Sequence, residues 1–194
     1  MSITYPLSLP THTGIRGIEL RAVNAVAYSM SPFTFAGQTH AYAGQMWQAD
    51  VTLPPMKLAD AEQWIAFLIS LRGQLGTFLL GDPLRTTPRG TATSATVSGS
   101  SGSGSVTVTM SGTLLAGDYI QLGTGDDSTL HKVLQDRSGS GTLEIWPALR
   151  KDRSAVSATL TSAKGLFRLS TNEQAWSINE ASIYGVTFAA REAI

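Results

Sequence analysis

Cysteine is absent from the 194 residues, which excludes a disulfide scaffold and thiolate metal sites and leaves the redox compartment unread. Charge is scarce: Asp, Glu, Lys and Arg together make up 14% of the chain, against roughly a quarter in ordinary soluble domains. The little charge there is balances, 14 basic residues against 14 acidic ones. A nucleic-acid binder needs surplus cations to displace phosphate counterions, and a peripheral membrane protein needs a basic patch. Neither surplus exists, so no readout of nucleic acid and no membrane contact is expected. No apolar run approaches the roughly 18 residues of a membrane span, and Met1 to Pro10 has no basic start or long apolar stretch, so it does not read as a signal peptide. The expectation is a soluble chain made in a cytoplasm, with a neutral surface suited to self-association.

What is present is a core-forming share of apolar residues, 42% of the chain, arranged in short runs between turn residues, which favours strands. From Gln45 the alternation is clean: Trp47, Ala49, Val51 and Leu53 share one face and Gln48, Asp50 and Thr52 the other, until Pro54-Pro55 ends the run. Upstream, Ile15 to Tyr28 carries Ile18, Leu20 and Ala22 and then Val23, Ala25 and Ala27. The change of parity near Val23 marks either a bulge or the link between two strands.

One helix is expected, over 61–72. Asp60 reads as its N-cap with Gln63 in capping-box position, Ala61, Trp64, Ile65, Leu68 and Leu71 fall at spacings of three and four, and Arg72-Gly73 suits its C-terminal end. Phe67 and Ile69 widen the apolar arc to about half the circumference. Such a helix is either wedged within its own fold or shared between its own sheet and a neighbouring subunit. Thr77 to Leu80 then reads as a strand.

At Thr91 the composition breaks into Ser, Gly, Thr and Ala up to Ser105. This is either a flexible linker or, given Val97, Val106 and Val108, a hairpin with a glycine-rich tip. Gly99 to Gly104 imitates a phosphate loop but lacks the lysine of one. Runs at Tyr119–Leu122, Leu130–Leu134, Thr142–Trp146, Val156–Leu160 and Leu166–Leu169 have the scale of a small barrel. The last run, Ser182 to Ala190, places Tyr184, Val186 and Phe188 on one face and belongs with the first half.

Residues that carry chemistry are few. His12, His40 and His131 have no partner at metal-ligand spacing. Asp126-Asp127 after Gly125 reads as a turn. Asp50, Glu144 and Glu173 form no recognisable carboxylate pair of the kind a glycosidase needs, and Ser103 sits in low-complexity sequence rather than in a strand-to-helix elbow. Trp47, Trp64, Trp146 and Trp176 lie on or beside apolar patterns, so core or interface packing explains them better than a sugar platform. No catalytic residue, cofactor or metal is expected.

Three stretches in the first half carry a resemblance: Gln45 to Met56, the helix with Trp64, Phe67, Leu68 and Leu71-Arg72-Gly73, and Gly76 to Pro83. In the second half it rests on Ala116 to Leu122, Leu143 to Arg150 and Phe167-Arg168-Leu169. Together they resemble minor tail proteins of long-tailed bacteriophages, most of all the distal tail protein family. The resemblance implies a mainly β fold with one α-helix. It implies a β-sandwich-like ring domain, here residues 1–90 plus 166–194, interrupted by a small OB-like β-barrel at 91–165. It also implies a non-enzymatic subunit of a homo-hexameric ring at the virion tail tip, made in the bacterial host and joined to the tail tube protein and tail-tip hub proteins. Trp47, Trp64, Phe67, Leu68, Leu71, Phe78 and Phe188 are the expected packing or subunit-interface residues. The alternatives are another minor tail protein of the tube or tip, or a carbohydrate-binding module.

Overall fold

The computed structural model describes residues 3–11 and 14–194, so His12 lies outside the described residues. The chain is mainly β. It begins with strands β1 (Gly17–Met30) and β2 (Gly37–Thr52), helix α1 (Leu58–Ser70) and strand β3 (Thr77–Leu80). Eight short strands follow: β4 (Ala95–Gly99), β5 (Ser105–Met110), β6 (Thr113–Leu114), β7 (Tyr119–Leu122), β8 (Thr129–Val133), β9 (Arg137–Ser138), β10 (Gly141–Trp146) and β11 (Arg153–Thr159). The chain closes with β12 (Gly165–Leu169), β13 (Trp176–Ile178) and β14 (Tyr184–Glu192).

These strands build an open antiparallel sheet in the order β1-β2-β14-β12-β3, with β13 alongside the start of β14. The phase of β2 decides which face is inside: Trp47, Ala49, Val51 and the following Leu53 are all buried. Onto them pack Ala61, Trp64, Ile65, Phe67 and Leu68 of α1, then Leu71, Phe78, Phe167 and Phe188. One helix, joined by part of the barrel, covers this face. The mainly β fold with one α-helix and an inserted small barrel is thus present, the sheet closed on one face by the apolar arc of α1 and the side of the barrel.

Helix α1 begins earlier than the expected 61–72. Its N-cap is Lys57, with no side-chain capping bond, and Asp60 falls within the first turn, where a carboxylate still favours the positive end of the helix. The start follows from β pairing: the Met56 amide donates to the Tyr184 carbonyl, so the chain stays extended up to Met56 and turns directly afterwards. At the other end Leu71 is the C-cap, and both Arg72 and Gly73 take left-handed backbone angles. Gly73 has a second reason to lack a side chain, since a Cβ there would lie 2.7 Å from the Asn172 side chain. Ile69 faces solvent, which makes the buried arc narrower than the sequence pattern implies.

The chain leaves the open sheet at Leu80 and re-enters it at Gly165, and these two residues are register partners. Everything between forms a closed barrel in the cyclic order β10-β5-β4-β11-β7-β8, with β6 and β9 paired beside it. The glycine-rich stretch is the tip of the β4–β5 hairpin. Along β5, Val106, Val108 and Met110 point inward and Ser105, Thr107 and Thr109 outward. The barrel core comprises these and, among others, Val97, Ile120, Leu122, Val133, Leu143 and Ile145. Six strands close it, where an OB-fold has five. No helix among the described residues is long and apolar enough to cross a membrane.

Candidate assembly surface

Strand β14 pairs with β2 only over Gln48–Thr52, yet β1 and β2 stay paired to their tip at Met30 and Gly37. Their outer part stands away from the sheet as a two-stranded arm, roughly 25–30 Å long from Gln45 to Gly37 at about 3.4 Å per residue. A register break between Asn24 and Val26 shows that the parity change is a bulge inside one strand, and a bulge bends and twists its strand. Both faces of the arm are exposed. Val26, Tyr28 and Met30 occupy one, and Gln38, His40 and Tyr42 the other. The Tyr28 ring lies over Gly37, where a Cβ would be 2.7 Å from it, and His40 meets Tyr42 edge-on at 4.6 Å.

The tip turns through Ser31 to Ala36, closed by the Phe35 amide donating to the Ser31 carbonyl and the Ser31 amide to the Ala36 carbonyl, each at 2.9 Å. Phe33 is 91% exposed and Phe35 is 73% exposed. Phe35 also takes a left-handed backbone conformation, φ +56°, which is uncommon for a bulky residue. From Ala22 to Ala49 the sequence has no Lys, Arg, Asp or Glu. Natural proteins guard edge strands with charge, proline or a covering element, and the strands of this arm carry none of these guards along their free edges.

At the root of the arm one face is clamped to the barrel. Asn24 and Gln45 are cross-strand partners. The Trp146 indole donates to Asn24 Oδ1 at 2.7 Å, and the Ala148 amide to Gln45 Oε1 at 2.8 Å. The Trp47 indole donates to the Leu130 carbonyl at 2.9 Å, and its ring meets Trp146 edge-on at 4.6 Å. Buried Glu192 joins the three parts: its carboxylate accepts from the Trp47 amide at 3.0 Å and from Arg150 at 2.8 Å. The opposite face of the root is open. There Val23, Ala25, Gly44, Met46 and Ile194, with Asn24 and Gln45 between them, line a mainly apolar groove of about 260 Å³.

Trp47, Trp64, Phe67, Leu68, Leu71, Phe78 and Phe188 all lie buried within the chain. Trp64, Phe67, Phe78 and Phe188 form one aromatic cluster with ring centroids about 6 Å apart. None of these seven is presented to a neighbour. The four tryptophans form no shared platform either, since Trp47 and Trp64 are buried, Trp146 packs on Trp47, and only Trp176 is exposed.

His131 is buried; its Nδ1 donates to the Pro147 carbonyl at 2.7 Å and its Nε2 accepts from the Thr129 hydroxyl at 2.9 Å. Burial pushes its pKa down to about 4, helped by the nearby Arg150 and Arg153 charges and opposed by the bond to Pro147. Asp126-Asp127 sits in a single short helical turn, and hydrogen bonds from Arg153 and Lys151 hold the Asp127 carboxyl below its ordinary range. Asp50 is held by Arg21, Glu144 lies on barrel strand β10, and Glu173 is exposed near Asp50 in a shallow groove. No group of three or more metal-ligating side chains occurs among the described residues.

Sequence reasoning missed the outer arm, because a ribbon exposed on both faces has no amphipathic alternation to reveal it. It also missed Glu192, for which a signal existed: the residue is in phase with buried Val186, Phe188 and Ala190, an acid on the apolar face. No protein-family model matches the chain, and no curated protein matches it.

Proposed function

We propose that this chain is a structural, non-enzymatic subunit of a bacteriophage tail tip of the distal-tail kind, repeated around an axis so that a channel runs through a closed ring. The observation that carries the reading is the arm: a long two-stranded ribbon with two free edges, no charged side chain and aromatic residues at its end. An isolated ribbon of this kind is marginal in water and is a template for pairing with another chain. The free edges of the arm can each pair with a strand of a neighbouring copy, a heterologous contact that makes a ring where its rotation closes. A chain with 14% charged residues and no net charge favours the same role. The copy number, six, and the neighbours, tail tube and hub proteins, come from the resemblance to distal tail proteins.

A carbohydrate-binding module would use exposed aromatics on a rigid face. Here those aromatics sit mainly on the arm, and the outer face of barrel strand β5 carries Ser and Thr instead. The test is a reconstruction of the assembled particle in which this chain is located and its copies around the axis are counted. Six copies between tube and tip are expected. A capsid position, or a single copy at the apex, would end the tail-tip reading.

A further inference from the structure

The arm's tip and its root are complementary surfaces on one chain. The tip is convex and apolar, with Phe33 and Phe35 exposed at 91% and 73%. The root groove is concave and mainly apolar, about 260 Å³, lined by Val23, Ala25, Gly44, Met46 and Ile194 together with Asn24 and Gln45. It owes its depth to small residues, since a Cβ on Gly44 would reach within 3.0 Å of the Ala25 Cβ. No charged side chain lies on the tip or among these lining residues. A chain cannot join them to itself: from the tip to Gln48 is roughly 35–40 Å along β2.

We infer that Phe33 and Phe35 of one copy seat in the groove formed by Val23, Ala25, Met46 and Ile194 of a neighbouring copy. An apolar projection that matches a groove elsewhere on the same chain makes a heterologous contact, which propagates around a ring or along a filament. Two phenyl groups bury only a few hundred Å², below the roughly 1,000 Å² of a stable interface, so the contact works beside strand pairing and sets which copies are neighbours. The inference rests on the reading of the chain as a repeating subunit, and the two can fail separately.

The absence of native cysteine makes disulfide trapping unambiguous. Thr34→Cys at the tip and Gln48→Cys beside the groove leave both phenylalanines and the groove lining intact. Mixing the two single variants at high concentration under mild oxidation is expected to give a covalent dimer. Mixing Thr34→Cys with Glu62→Cys, on the solvent side of α1, is expected to give none. Phe33→Ser with Phe35→Ser is expected to weaken self-association about tenfold or more, as loss of buried phenyl area implies. Self-association without the tip-to-groove disulfide overturns this inference and leaves the ring reading standing. Neither association nor disulfide also overturns it, and the ring reading is then judged on the particle count. Binding of wild type to neutral phosphatidylcholine vesicles, lost in the double serine variant and without any disulfide, overturns it in favour of a lipid-seeking tip.

Discussion

Trp64 and His131 show how differently two buried side chains hold one fold. Trp64 lies on the inner face of α1 against Phe67 and Phe188, and truncating a buried aromatic costs about 3–5 kcal/mol. Trp64→Ala is therefore expected to lower the free energy of unfolding by that amount, and a melting curve identical to wild type would remove the residue from the core. His131 acts through protons. The folded protein keeps the ring neutral down to about pH 4, whereas the unfolded chain protonates it near pH 6.5. Its contribution is complete above about pH 6.5 and is lost as the pH falls from there to about 4, a loss of about 3 kcal/mol. Urea midpoints at pH 7 and pH 4.5 are expected to diverge in wild type and to converge in His131→Gln. Parallel behaviour of the two proteins would show that His131 is not the group being titrated. The sequence marked Trp64 by its place in a three-and-four spacing. Nothing marked His131, since a lone histidine beside an apolar residue reads the same whether buried or solvated.

At the scale of elements, legibility followed burial. β2 from Trp47 onward, α1 and the β4–β5 hairpin each bury one face, so their periodicity was written in the residues. The boundaries of α1 were harder to read, because its start is set by the pairing of Met56 with Tyr184, far along the chain. The arm buries neither face and went unread beyond Tyr28, although its exposed phenylalanines and missing charge are compositional. Because Val26 to Ala41 lie outside both cores, replacing this stretch by an Asn-Gly turn is expected to leave monomer stability within about 0.5 kcal/mol of wild type. Under the proposed tail-tip role, the same variant is expected to stop incorporation into the particle. Equal stability with normal incorporation would show that the arm is dispensable for assembly, and a large loss of stability would show that it supports the body of the fold.

The whole molecule is two cores that meet where the side of the barrel packs on the open sheet. The barrel closes on itself and leaves no free edge within its ring, while the open sheet depends on α1 and, at Trp47, on Tyr119 and Leu130 of the barrel. Leu80 and Gly165 are register partners, so a tight turn from Gly81 to Lys164 converts β3 and β12 into an ordinary hairpin. We predict that a chain lacking residues 82–163 still folds as a helix-covered sheet, since the cluster around Trp64 and Phe78 remains complete. It is also predicted to be less stable than the full protein, because the Trp47 indole loses its acceptor and its edge-on partner Trp146, and Glu192 loses Arg150. Trp47→Thr in that shortened chain is expected to recover solubility, as it removes the newly exposed ring and suits a strand. The isolated barrel, residues 89–164, is expected to fold on its own, its core being self-contained. Circular dichroism melts of both pieces decide the matter. If neither piece folds in any variant, the seam at Trp47 is part of one indivisible core, and the proposed division of the chain into a ring domain and an inserted barrel falls with it.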